Sequence, residues 1–157
     1  DIFQDFYHRI AESKTENPEL CYKPSESPES PEEFAALLHR NRNKDKLYRT
    51  TQSGPHRDDF SFLLNGNKAA SFASEGQQRA LVLSLRFVQF EYFREKSNTM
   101  PVILADDILG ELDPGRRRRF WDACNADAQI IATGTELPET SESWNVFKVL
   151  QGTVEAT

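Results

Sequence analysis

Phe72-Ala73-Ser74-Glu75-Gly76-Gln77-Gln78-Arg79 opens the stretch that decides how this chain folds, and Pro101-Val102-Ile103-Leu104-Ala105-Asp106-Asp107, continued by Ile108-Leu109-Gly110-Glu111-Leu112-Asp113, closes it. A small polar loop that opens a helix leaves its first-turn N–H groups unpaired at the positive end of the helix dipole, which suits phosphate oxygens. Five apolar residues ending in two adjacent carboxylates predict a strand whose carboxyl edge can hold a hard cation and a water. Adjacent acids after a strand are often a solvated loop. Here Leu112-Asp113 follows them and the Ser-Glu-Gly-Gln-Gln helix opening precedes them, and that combination favours nucleoside triphosphate chemistry. In this reading Asp106 holds Mg²⁺, mostly through water, and Asp107 polarises the attacking water.

Outward from this stretch, Leu81, Leu85, Val88 and Tyr92 recur at steps of four, three and four and predict a helix to Lys96. The run 101–105 reads as a strand covered on both faces, and 128–133 as a second buried strand. Between them Asp113 and Pro114 fit the cap and first position of a helix through Cys124. A terminal hairpin is expected over 145–156 around Gln151-Gly152. Upstream, Asn65-Gly66 marks a type I′ hairpin after a strand at 59–64, and 47–52 reads as another strand. Ser30-Pro31-Glu32-Glu33 opens a helix to about Arg42 with Phe34, Leu37 and Leu38 on its apolar side, followed by a charged connector at 43–46. A loop spans 24–31 and a short strand 19–23. Residues 1–14 place Ile2, Phe3, Phe6, Tyr7 and Ile10 at helical spacing, and so abrupt a start implies a cut from a longer chain. Alternation of helix and strand from Gly76 onward gives an α/β class with a parallel core and an antiparallel flap before it.

Composition narrows the partners. With 19 basic and 25 acidic residues the net charge is −6, which argues against a broad basic coat for nucleic acid but leaves room for a local patch. Cys21 and Cys124 form no metal-like spacing and no disulfide framework, as expected in a reducing cytoplasm. No apolar run reaches the roughly 20 residues that a membrane helix needs, so no membrane is expected.

Gly54-Pro55-His56-Arg57-Asp58-Asp59, Leu64-Asn65-Gly66, the 72–79 loop and Asp106 through Asp113 resemble the RecF family, and the resemblance reaches back weakly to Tyr22-Lys23-Pro24-Ser25. It implies the C-terminal half of an ABC-type ATPase head, a parallel sheet with flanking helices, in a bacterial ATPase of recombinational repair related to SMC proteins. Residues 1–46 would be the remainder of a helical lid and 47–157 the C-terminal lobe. Ser74, Glu75, Gly76 and Gln77 would form the signature loop that meets the γ-phosphate of ATP on the opposite subunit. Asp106 and Asp107 would be the Walker B magnesium residue and catalytic acid, and Asp113 the D-loop aspartate at the dimer interface. The resemblance further implies an ATP-dependent homodimer, DNA at single-strand gaps or junctions, and RecO, RecR and RecA as partners.

Two departures qualify the expectation. Where ABC-type ATPases place a γ-phosphate-sensing histidine, this chain has Thr133-Gly134-Thr135, so a threonine hydroxyl or a backbone N–H must serve; RecF-like sequences share this feature. None of the seven glycines fits a Gly-x-x-x-x-Gly-Lys phosphate loop, so that loop is expected on another part of a longer protein, and this stretch alone should hydrolyse no ATP. His56 and Arg57 could bring a cation to phosphate or DNA, although a proline-ordered turn capped by Asp58 accounts for the same residues. Arg116 to Arg119 read as a solvated helix face. The alternatives are an SMC-like structural clamp with little turnover and a catalytically dead interaction module.

Overall fold

Phe3, Phe6, Tyr7 and Ile10 fall on one side of helix α1 (Ile2–Ala11) and are all buried, the i, i+3, i+4, i+7 pattern of a core-facing helix. Asp1 caps it by accepting from the Phe3 N–H at 3.1 Å. The coordinates are a computed structural model and describe residues 1–107, 110, 112–135 and 144–156. They divide into two compact units, Asp1–Leu85 and Arg86–Thr157.

In the first unit, strand β1 (Pro18–Lys23) pairs antiparallel with β2 (Asp59–Leu64) over its full length, Pro18 opposite Leu64 and Lys23 opposite Asp59. Strand β3 (Asn67–Lys68) returns along β2 through Asn65 and Gly66, whose φ angles of 52° and 75° are those the type I′ turn requires. Phe62 stacks on Phe3 of α1 with ring centroids 5.9 Å apart, joining helix to sheet. Helix α2 (Pro31–Tyr48) starts as expected, with Ser30 Oγ accepting from the Glu33 N–H.

Its end differs from the sequence reading. Residues 43–48 continue α2, and the strand expected at 47–52 does not form. No residue in that run stops a helix until Arg49 adopts φ 53°. Asp45 then gathers the chain that follows: its carbonyl accepts from Thr50 N–H and its carboxylate from Gln52 N–H. With its donors satisfied locally, this segment has no ladder to join.

A short helix α3 (Ala69–Phe72) precedes α4 (Glu75–Ser97). Its buried line is Ala80, Leu81, Ser84 and Phe87, about one residue round from the stripe read in the sequence, and Tyr92 is exposed. The buried Ser84 hydroxyl satisfies itself on the Ala80 carbonyl at 2.6 Å.

The second unit is built on a parallel pair, β4 (Ile103–Ala105) and β5 (Ile130–Ala132), in register Ile103–Ile130, Leu104–Ile131 and Ala105–Ala132. Helix α5 (Pro114–Ala123) makes the crossover between them, and its Phe120 packs against Phe87 at 5.4 Å. The two-sided cover expected for β4 is found at Ala105, whereas the register partners Leu104 and Ile131 both face outward exposed. The terminal hairpin is β6 (Phe147–Leu150) with β7 (Thr153–Ala156), turning at Gln151-Gly152. Among the described residues no helix is long and apolar enough to cross a membrane.

Candidate functional site

Ser74 and Gln77 cap each other at the start of α4. Ser74 Oγ accepts from the Gln77 N–H at 3.3 Å, and Gln77 Oε1 accepts from the Ser74 N–H at 2.7 Å, the reciprocal arrangement of a capping box. The other end of the Gln77 amide donates to Glu16 Oε1 at 2.6 Å. Glu16 is itself fixed, since its Oε2 accepts from the hydroxyl of fully buried Tyr7 at 2.6 Å and its carbonyl from His8 Nε2 at 2.8 Å. The loop between α1 and β1 therefore determines which way the Gln77 amide points. Nothing in the sequence pattern marks Glu16 or Tyr7 for this, because the link spans 61 residues. Glu75 forms an i, i+4 ion pair with Arg79 at 2.6 Å, leaving the helix mouth to Ser74 and Gly76.

In the second unit the acid pair sits at the carboxyl ends of the parallel strands. The Thr133 N–H donates to the Ala105 carbonyl at 3.0 Å, which brings the residue after β5 level with the pair after β4. Thr133 Oγ1 then donates to Asp106 Oδ1 at 2.5 Å and accepts from the Asp107 N–H at 3.1 Å. One hydroxyl thus ties the Asp106 carboxylate to the Asp107 backbone. Asp107 lies at φ 50°, a left-handed conformation that aspartate tolerates better than most residues, and its carbonyl accepts from the Gly110 N–H at 3.1 Å. A Cβ at Gly110 would stand 3.2 Å from Asp107 Oδ1, so the missing side chain leaves that carboxylate its room.

Two exposed carboxylates and a hydroxyl are hard oxygen donors. Among the described residues no group of three or more His, Cys, Asp or Glu could form a metal cage. The two carboxylates are donors of the type that Mg²⁺ takes one or two of, completing its shell with water and phosphate oxygens.

Asp113 accepts from the Arg116 N–H at 3.0 Å and pairs with the Arg116 guanidinium at 2.8 Å. The backbone hydrogen bond, ahead of the charge, holds its carboxyl below the usual range. Arg116 is thereby committed within α5, while Gly134 and Thr135 are exposed beyond Thr133. Of the expected residues, Asp106, Asp107 and Thr133 are brought together, and Ser74, Glu75, Gly76 and Gln77 form a second cluster in the other unit. Ile108, Leu109 and Glu111 lie outside the described residues.

His56 and Arg57 have local structural work. His56 Nε2 and Arg57 Nε both donate to the Thr51 carbonyl, at 2.8 and 3.0 Å. Asp58 accepts from the Tyr22 hydroxyl and, at 2.8 Å, from the Ser25 N–H; the Tyr22 bond leads the causes that hold its carboxyl low.

No family model matches the chain. Curated relatives do. The DNA replication and repair protein RecF of Lachnoclostridium phytofermentans is 37% identical over 94% of this chain and 41% of its own length. RecF of Moorella thermoacetica is 41% identical over 75% of this chain and 31% of its own. The chain belongs to the RecF family. Two solved structures of RecF agree, each covering 99% of this chain and 43% of theirs: the recombination mediator protein RecF-ATP in the RecFOR pathway, TM-score 0.68 at 26% identity, and the RecF-ATPrS form, 0.66 at 27%. The parallel pair with its crossover helix is the α/β architecture of that fold. The chain spans about two fifths of the length of the RecF relatives it matches.

Proposed function

We propose that this chain is the signature-bearing, Walker B-bearing part of a RecF-type DNA repair ATPase that closes into a dimer on ATP. The observation that carries this is the Asp106–Thr133–Asp107 group at the carboxyl edge of two parallel strands. In an open α/β sheet that edge is where ligands bind. Residues 1–46 act as the remainder of a helical lid and 47–157 as the C-terminal lobe of the head.

Asp106 would hold Mg²⁺ with the phosphates, and the ion would neutralise charge on the transferring group. Asp107 accepts the proton of the attacking water. Its carboxylate reaches about 1.5 Å less far than a glutamate's would, a displacement large enough to slow the water's attack, so turnover lies below the enzyme median of about 10 per second. Ser74 and the first-turn N–H groups of α4 receive the γ-phosphate of the partner subunit's ATP, with Asp113 at the same interface. The isolated stretch hydrolyses nothing, since the phosphate loop lies elsewhere in the full protein. DNA gaps or junctions, RecO, RecR and RecA loading follow from the family reading, as does action in the cytoplasm.

Thr133 in place of a sensing histidine and Asp107 in place of glutamate also favour a second reading, a clamp that uses ATP to close and scarcely turns over. Asp107→Asn separates the two, abolishing turnover in an ATPase and changing little in a clamp. The first test is light scattering of the full-length protein with and without Mg·ATP, repeated with Ser74→Arg. ATP should double the mass and the substitution should prevent it. A mass indifferent to ATP in both proteins would refute the reading.

A further inference from the structure

The charge of this chain is unevenly spread. Residues 40–49 hold Arg40, Arg42, Lys44, Lys46 and Arg49 against the single acid Asp45, a net of +4 in a chain of net −6, so all other residues together carry −10. Because α2 continues to Tyr48, these residues form a helical surface where a charged connector and a strand were expected. All five cations are exposed, and none makes a salt bridge or side-chain hydrogen bond among the described residues. The one acid within the run, Asp45, accepts the Gln52 N–H at 2.8 Å and pairs with none of these cations. A helix of this kind has no internal use for its charge. Only Leu37 of α2 is buried; in the second half Asn41 donates to buried Ser53 Oγ at 2.7 Å and Asp45 caps the following turn, while the cationic side chains stand in solvent.

The same turns expose apolar surface. Leu47 is 76% and Tyr48 63% exposed. Arg40, Lys44, Leu47 and Tyr48 share one side of the helix at i, i+4, i+7 and i+8, and line an open groove of about 680 Å³, with Glu26 the acid on its border. Leaving an aromatic ring in water beside unpaired cations gains nothing for the fold. It is the combination by which a single nucleic-acid strand is held, with cations along the phosphates and a ring under an unpaired base. Duplex DNA offers its phosphates but keeps its bases stacked, so it would use the cations and leave Tyr48 idle.

We infer that the second half of α2, from Arg40 to Arg49, is a contact surface for single-stranded DNA, with Arg40 and Lys44 on the phosphates and Tyr48 stacking on a base. This deepens the repair-ATPase reading and rests on it for the choice of DNA as the polyanion. An acidic protein partner would satisfy the charge but would leave no reason for DNA affinity to follow Tyr48.

The test uses the full-length protein with Mg·ATP, fluorescence anisotropy on a labelled oligo-dT and on a duplex of equal length, and a salt titration of each. Arg40→Gln/Lys44→Gln should weaken oligo-dT binding and flatten the log–log salt slope by about 1.4, two contacts at roughly 0.7 each. Tyr48→Ala should weaken oligo-dT binding about tenfold, with the slope unchanged and duplex binding unaffected. Light scattering runs alongside, and each variant should still double its mass with ATP. If the variants dimerise normally and bind oligo-dT with the parent's affinity and slope, the surface is not a DNA site, whatever the fate of the ATPase reading. Equal loss on duplex and single strand with Tyr48→Ala would overturn the single-strand assignment. Failure of the parent protein to dimerise with ATP would instead strike the reading beneath it, and oligo-dT affinity that still followed Tyr48 would leave the surface standing.

Discussion

Thr133 is the residue on which the acid pair depends, and Thr133→Val tests that dependence with almost no change in shape. The threonine hydroxyl spends both its capacities, donating to Asp106 Oδ1 at 2.5 Å and accepting from the Asp107 N–H at 3.1 Å. Valine keeps the volume and removes both. A hydrogen bond to a charged group contributes about 1.5–3 kcal/mol and a neutral one about 0.5–1.5, and the exposure of this site places both at the low end, together about 2 kcal/mol. Converted at 1.36 kcal/mol per factor of ten, that is a loss of roughly 30-fold, within the 10–100-fold range seen when a partner orienting a metal ligand is removed. The assay is steady-state ATP turnover of the full-length protein over a range of Mg²⁺ concentrations, beside the parent and Thr133→Ser. The valine variant should turn over about 30-fold more slowly and require more Mg²⁺, while serine, which keeps the hydroxyl, should stay within about threefold of the parent. Turnover at the parent's rate with valine, or serine as slow as valine, would show that the hydroxyl does not hold the acids in place.

Glu16→Ala should weaken ATP-dependent dimerisation in light scattering, because the Gln77 amide loses the acceptor that keeps its carbonyl end on the Ser74 N–H; a dimer midpoint in ATP equal to the parent's would refute this. Asp113→Ala should destabilise the protein by about 1 kcal/mol in urea melts at pH 7, the usual loss for an N-cap. Since the Asp113 pKa is held below its ordinary 3.8, its contribution is complete above that value and disappears as pH falls through the lower folded one, so the gap between parent and variant should narrow and then close as melts are taken to pH values further below 3.8. A gap that persists there would mean the carboxylate is not its source.

What the sequence disclosed depended on how local the causes were. The polar loop that opens α4, the Asn65-Gly66 turn, the Asp113 cap and the strand ahead of the acid pair are set within a few residues, and each forms as the pattern predicts. The end of α2 differs from the pattern because Leu47 and Tyr48 look like strand residues when their neighbours are ignored. The structure shows that Asp45 takes the Thr50 and Gln52 N–H groups, a return of five and seven residues that no periodicity reports. Glu16 and Thr133 were illegible as partners for a different reason. Their contacts, with Gln77 61 residues on and with Asp106 27 residues back, exist only once the fold has closed. Thr133 could be named as a stand-in for a missing histidine, but its placement between the Asp106 carboxylate and the Asp107 N–H could not.

On the proposed reading of residues 74–77 as a signature loop, its wiring decides which of its groups is left for phosphate. Gln77 is occupied at both ends of its amide, by the Ser74 N–H and by Glu16, so the glutamine is a brace for the loop. Ser74 is different. Its oxygen accepts the Gln77 N–H, and a hydroxyl whose lone pair is already engaged turns its proton elsewhere, which makes it a ready donor to an incoming oxyanion. The first-turn N–H groups of Glu75 and Gly76 lie where no intrahelical carbonyl can reach them, at the positive end of a 23-residue helix. Held by Glu16 and by buried Tyr7, these donors stand in place, so on the proposed reading little ordering has to be spent on binding a phosphate. On that reading the same bracing makes a change at Glu16, which touches Gln77 and Tyr7, one that should be felt at the γ-phosphate.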